Sequence, residues 1–226
     1  MRRHKFLATA SMQRWARRSA LFACFAAFLC LASLFLVDIA SAQDGLDGIR
    51  KRLVQPAVLR GEFTQQKRLT GFRNPLRSSG AFLLAKEHGI VWRTLVPFPS
   101  TMVVTSDRIL SRLADGSTRI ELDAQEQPAL GAVNALLFAL FAGDVEVLSE
   151  RFETAAAMPD SSHWTLGLVP KPGAFGAVFL RIDVEGDAFV RHVRIEERGG
   201  DVTEISFTAL IDAPAALTDD EARQFD

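Results

Sequence analysis

The chain has little cysteine, and both of its cysteines, Cys24 and Cys30, fall within the first 42 of 226 residues. The rest of the chain can therefore form no disulfide and no thiolate metal site, which is compatible with an oxidising compartment. The same 42 residues lack glycine and proline altogether, although the whole chain holds 15 and 9 of them. They carry six basic side chains (Arg2, Arg3, Lys5, Arg14, Arg17, Arg18) against one acid, Asp38. Residues 1–18 are basic, residues 20–37 are apolar apart from Ser33, and Ala40-Ser41-Ala42 is a small-x-small cleavage site before Gln43. This order predicts a secretory signal peptide over residues 1–42 and one exported mature domain over 43–226. An uncleaved anchor is the alternative, because 17 or 18 apolar residues approach the roughly 20 that span a bilayer. Phe22-Ala23 and Phe28-Leu29 before the cysteines do not match a lipid-attachment site, so no lipid anchor is expected.

Removing residues 1–42 takes away six basic and one acidic side chain, which leaves 20 against 26, a charge of about −6 over 184 residues. No basic stripe survives, so a nucleic-acid partner is not expected. No second apolar run is long enough to cross a membrane, and no repeat or low-complexity tract occurs. Catalytic patterns are missing too. His88, His163 and His192 are too far apart for a local metal site and read as surface or turn residues, and no zinc-protease, nucleophile-elbow or phosphate-loop motif is present. Gly173-Ala-Phe-Gly176 precedes a strand pattern, whereas a dinucleotide fingerprint needs a helix next, so it reads as a loop. Asp183/Glu185 and Asp219/Asp220 read as solvated charge and not as a glycosidase pair. No enzyme activity, cofactor or metal is expected.

What is present is an amphipathic segment followed by strands. Leu46, Ile49, Leu53 and Val54 share one face of a short helix over 45–55 that Pro56 stops. Strands are predicted at 58–69, 78–86, 90–96, 101–106, 108–113 and 117–122, with Asp115-Gly116 as a hairpin turn. Residues 129–142 are uncharged and rich in Ala and Leu, a helix apolar on all sides that must be buried. Strands resume at 145–153, 163–169, 177–185, 188–197 and 202–211. The last three alternate and predict one wet face. Residues 81–85 and 90–92 are apolar on both faces. Either helices cover one side and loops the other, or one face lines a cavity for an apolar ligand.

The ordered motifs carry a family resemblance. Gly61-Glu-Phe63-Thr64-Gln65-Gln66 resembles the first-strand signature of the periplasmic lipoprotein carrier LolA. Gly80-Ala-Phe82-Leu-Leu-Ala-Lys86, then Trp92, Pro97 and Val103-Val104-Thr-Ser106-Asp107, resemble its second to fourth strands, and Leu168-Val-Pro170-Lys171 a later strand end. The resemblance spans about residues 44–211. It implies an α+β fold: an unclosed antiparallel β-barrel of about eleven strands, with a helical lid over a hydrophobic cavity. It further implies a monomeric carrier that shields acyl chains of a lipoprotein. Such a carrier takes its cargo from an inner-membrane ABC transporter and delivers it to an outer-membrane receptor. On that reading the lipid-binding candidates are Phe63, Phe82, Leu84, Trp92, Met102, Val104, Leu136, Leu137, Leu140 and Phe141. Lys86, where the family carries an arginine that helps hold the lid and dock the transporter, is the candidate latch and docking residue together with Ile90. Lysine keeps the charge but lacks the planar five-donor fork, and Glu87 replaces the family's proline. Carriage of another amphiphile, such as a glycolipid or lipid-linked pigment, a role in envelope assembly or docking, and hydrolysis of a lipid substrate are the alternatives.

Overall fold

The structure, a computed structural model, describes residues 37–105, 108–113, 118–123, 139 and 145–225. Contacts divide the chain into two units, residues 1–44 and 45–226. In the first, residues 37–44 are helical. In the second, helix α1 (Val37–Arg52) continues to its end and buries Leu46 and Ile49. The helix starts earlier than the 45–55 read from periodicity, because no Gly or Pro interrupts residues 37–44. It stops at Arg52, four residues before Pro56, and the Val54 amide then donates to the Ala188 carbonyl at 2.8 Å.

Eleven strands follow: β1 (Val58–Arg68), β2 (Leu76–Ala85), β3 (Gly89–Val96), β4 (Ser100–Val104), β5 (Arg108–Leu113), β6 (Thr118–Asp123), β7 (Phe152–Ala157), β8 (Trp164–Pro170), β9 (Phe179–Gly186), β10 (Val190–Glu197) and β11 (Val202–Ile211). They form one sheet in the order β6-β5-β4-β3-β2-β1-β11-β10-β9-β8-β7, with every described pair antiparallel. The sheet is thus two meanders joined where β1 pairs with β11, and among the described pairings β6 does not close on β7. Short helices α2 (Val145–Arg151), α3 (Ala174–Val178) and α4 (Asp219–Ala222) complete the described elements, with a 3-10 turn at Arg223–Phe225.

Two further segments differ from the sequence expectation, and the expected Asp115-Gly116 turn lies outside the described residues. Residues 145–151 are helical and the strand starts at Phe152, although Val145 and Val147 alternate like a strand. Residues 174–178 form a helical turn instead of an open loop. That turn buries Phe175, whose ring lies 5.2 Å from that of Phe152.

Register assigns each strand residue a side, since directly paired residues point the same way. Leu59, Phe63, Phe82, Leu84, Ile90, Val104, Ile109, Leu166, Leu168, Ile182, Val184, Val193 and Phe207 form one buried cluster with Leu46 and Ile49 of α1 and Leu148 of α2. We call this the inner face. On the outer face of β9 to β11, Arg181, Asp183, Arg194, Glu196 and Glu204 make a ladder of exposed or half-buried charge, the wet face the alternation predicts.

The far end of the inner cluster is pinned by Trp164, which is 1% exposed and donates from Nε1 to the Asp187 carbonyl at 2.6 Å. Gly186 lets that indole approach, because a Cβ there would overlap its six-membered ring and the Phe189 carbonyl. Replacing Trp164 by phenylalanine removes the donor and leaves a void. The expected cost is about 2–3 kcal/mol, read as a lower urea midpoint at unchanged slope.

Candidate functional site

The inner face of β1 to β4 is built around a four-ring cluster. Phe63 on β1 stacks on Trp92 of β3 with centroids 3.9 Å apart. Phe207 of β11 meets Phe82 edge-on at 5.4 Å and Trp92 edge-on at 6.1 Å. Phe63 and Trp92 can meet across the intervening strand because Phe63 faces Gly80, where no side chain stands between them. A Cβ at Gly80 would collide with the Arg93 carbonyl oxygen and press on the Phe63 ring. Edge-on and offset rings of this kind contribute beyond the area they bury.

Six of the lipid-binding candidates, Phe63, Phe82, Leu84, Trp92, Met102 and Val104, lie on this face. Phe63, Phe82, Leu84 and Val104 are buried in the core, Trp92 is half-buried, and Met102 is 37% exposed. Of this set, Met102 therefore has the most accessible surface for an apolar ligand. Leu136, Leu137, Leu140 and Phe141, and with them the expected lid over 129–142, lie outside the described residues apart from the helical, buried Ala139. Lys86 is exposed in the turn between β2 and β3, and its amide donates to the Ala57 carbonyl at 2.9 Å. Ile90, in contrast, is buried between Leu84 and Val104, so its side chain offers a docking partner no surface.

The outer face of β1 to β5 resolves why residues 81–85 and 90–92 are apolar on both sides. Val58, Leu83, Ala85, Val91, Val103 and Leu110 form a second buried cluster, and what covers them is the C-terminal segment, through Leu217 and Phe225. Four arginines of the sheet hold that segment. Arg60 donates to both Glu221 carboxylate oxygens at 2.6 and 2.8 Å, and to the carbonyls of Pro214 and Ala216. Arg93 reaches the Gln224 side chain at 2.9 Å, Arg108 the Phe225 carbonyl at 3.0 Å and Arg112 the Gln224 carbonyl at 3.3 Å. Thr218 and Glu221 close a reciprocal capping box at the start of α4. The Arg60 guanidinium, helped by the Thr218 amide and hydroxyl, pulls the Glu221 carboxyl down to about 2 against the opposing effect of its partial burial. A depression of about 330 Å³ separates this strap from the β2–β3 turn, with Lys86, Glu87 and His88 on one side and Ala215, Ala216, Leu217 and Ala222 on the other. The latch position thus borders the strap. Sequence reasoning missed Glu221, which in sequence looks like solvated charge in an acidic C-terminal run, and its arginines, which look like the polar side of alternating strands.

Among the described residues no three His, Cys, Asp or Glu side chains gather as metal ligands. One Ser, His and Asp set does come together, at the loop before β8. His163 Nδ1 lies 3.2 Å from Ser162 Oγ and 2.8 Å from Asp160 Oδ2. Both contacts fall on the same ring nitrogen, whereas a nucleophile relay uses opposite nitrogens, and Asp160 also accepts the amides of Ser162 and His163 as a turn cap. Those hydrogen bonds hold the Asp160 carboxyl well below the usual carboxylate range. His192 lies half-buried on the outer face of β10, and His88 packs its ring 5.5 Å from Phe225.

An unclosed antiparallel sheet with helices packed on one apolar face is an α+β architecture of the LolA type. Residues 55–221 match the family profile described as outer membrane lipoprotein carrier protein LolA, and the chain belongs to that family. No curated protein sequence matches it. Solved structures similar to it include a LolA superfamily protein from Nitrosomonas europaea, 9% identical, with 82% of this chain and 97% of that one covered at a TM-score of 0.44. A DUF1329 family protein from Desulfovibrio piger is 12% identical over 79% and 95% of the two chains, TM-score 0.47. A chain of the Pseudomonas aeruginosa MucA/MucB complex is 13% identical over 82% and 60%, TM-score 0.45. Among the described residues no helix is long and apolar enough to cross a membrane.

Proposed function

We propose that this chain is a periplasmic carrier, exported by residues 1–42, that shields lipoprotein acyl chains against the inner face of its sheet. Residues 129–142 serve as the cover, an inner-membrane ABC transporter as donor and an outer-membrane receptor as acceptor. The supporting observation is the inner face itself, whose buried apolar cluster runs from β8 to β5 on an open sheet, in a chain of the carrier family. Each acyl methylene taken out of water is worth about 0.8 kcal/mol, so a long chain costs on the order of 10 kcal/mol to leave exposed. A carrier must recover most of that and still release. An open sheet whose apolar wall is covered by a separate segment suits that need better than a closed pocket.

Lys86-Glu87 in place of the family's arginine and proline favours a second reading, in which the cargo is a different amphiphile. Both readings are tested by native mass spectrometry of the protein purified without detergent from a Gram-negative periplasm, followed by denaturing release. An acylated peptide supports lipoprotein carriage, a free lipid or glycolipid supports the second reading, and a clean apo mass counts against both. Leu137→Asp and Phe141→Asp are expected to reduce bound cargo at least tenfold while the fold survives, because burying an unpaired carboxylate beside an acyl chain is strongly unfavourable.

A further inference from the structure

The meander β1 to β4 ends in two neighbouring turns whose side chains are unlike the rest of the surface. The β1–β2 turn carries Phe72 and leads into Leu76, and the β3–β4 turn carries Phe98 behind Leu95 and Val96. The pairing of Ser79 with Val96 puts the two turns at the same end of adjacent strands. These five apolar side chains are 53% to 80% exposed. With Met102 they account for six of the eleven large apolar side chains exposed among the described residues, a concentration that single scattered residues do not produce.

Within the two turns charge is of one sign, although Asp201 of the neighbouring β10–β11 turn accepts the Thr70 amide at 2.9 Å. Residues 69–77 and 94–102 contain no Asp or Glu, while Arg73 and Arg77 project from the first turn and the strand after it. Lys67 is engaged by Glu197 and Asp201, and Arg68 by Glu204, so the nearby carboxylates are already paired. Neither Arg73 nor Arg77 has a carboxylate partner among the described residues. Arg77 also lines an outer-face groove of about 430 Å³ with Gln66, Ser79, Val96, Ser206, His192 and Glu204, the last already paired with Arg68 and Arg194.

We infer that this end of the sheet docks on an anionic lipid bilayer. Phe72 and Phe98 enter the boundary between headgroups and acyl chains, and Arg73 and Arg77 pair with headgroup phosphates. Protruding aromatics on two narrow turns, ringed by unpaired arginine, suit insertion into a fluid interface. A stable protein interface instead needs a broad patch of about 800 Å² per partner with charge kept from its centre. The docking stands apart from the carrier reading. Taken with it, Met102 connects the docked end to Trp92 on the inner face, because the two are direct partners across β3 and β4.

The test is co-sedimentation of the periplasmically recovered protein with vesicles of phosphatidylcholine alone or with about 30% phosphatidylglycerol. Wild type and variants carry the same N-terminus, so any contribution of residues 1–42 cancels in the ratio. Wild type is expected to bind the anionic vesicles preferentially. Phe72→Ser/Phe98→Ser is expected to lose about tenfold or more in that binding, and Arg73→Gln/Arg77→Gln about tenfold with a weaker salt dependence. All four positions are exposed, and circular dichroism melts are expected to match wild type; if the double Phe variant melts early, Phe98→Ser alone gives the same comparison. Equal binding of wild type and the Phe and Arg variants overturns the proposal. So does absence of wild-type binding to anionic vesicles, or loss of a protein partner as the only effect of the substitutions. The cargo measurement above is independent of this result, so the two readings fail separately.

Discussion

Replacing Phe63 by alanine is expected to remove about 3–5 kcal/mol of stability, a large share of the roughly 5–15 kcal/mol that holds a domain together. The ring is 1% exposed and lies against Trp92, with Phe82 and Phe207 completing the cluster. Its removal would leave a cavity bounded by rings that cannot close in, since Gly80 on the facing strand has no side chain to fill the space. Met102→Ala, on the same face but 37% exposed, is expected to cost less than about 1 kcal/mol. Urea unfolding of both variants distinguishes a packed wall from an open one. If Phe63→Ala were as mild as Met102→Ala, the four rings would be cavity lining and not core. In the expected case, the accessible apolar surface of the inner face is its margin, at Met102 and Trp92.

The second large effect concerns the C-terminal strap. Glu221→Gln is expected to loosen residues 214–225 over the outer face, because Arg60 loses its bidentate partner and the capping box loses its charge. Charge-assisted pairs of this geometry are worth about 1–3 kcal/mol, so amide exchange across the strap should speed up roughly ten- to hundredfold while β8 and β9 stay protected. Phe225→Ala, which removes the apolar anchor of the same segment, should act in the same direction. Acid should mimic the first variant. The folded carboxyl titrates near 2 and an unperturbed one near 4.5, so the stabilisation is complete above about pH 4.5 and is lost as pH falls towards 2. Protection factors of the strap, with the intrinsic exchange rate divided out, that are independent of pH between 5 and 2.5, or insensitive to Glu221→Gln, would remove the ion pair as its fastening.

Most of the sheet was legible in the sequence because its strands are short, alternate in polarity and are separated by turn residues, as at Glu185-Gly186-Asp187. The ten other strands begin and end within about two residues of their expected bounds, and the seventh does not. Val145 and Val147 gave residues 145–153 a strand pattern, but the segment winds into a helix that buries Leu148 beneath the sheet. Ala155, Ala156 and Ala157 then form strand residues with almost no strand signal of their own, held by pairing with β8. The inner face was visible as a pattern of apolar positions, but its division into packed rings and accessible margin was not. That division depends on Phe63, Gly80, Trp92 and Phe207, which come from four different strands. The strap was hidden for the same reason: Arg60 and Glu221 are 161 residues apart, and only the folded sheet brings them together.

The joint between the two meanders has a kinetic meaning. Within each meander, hairpins zip between residues close in the chain, but β1 meets β11 only after the ends of a long loop have been brought together. Pairings of such separation are slow to form, because chain entropy is lost before any contact is gained. As the polypeptide emerges from its N-terminus, β1 is the first strand to appear and keeps one side unpaired until the chain has emerged through residue 211. A strand waiting in that state is a template for the wrong partner, so the last tenth of the chain controls whether the first strands survive long enough to be used.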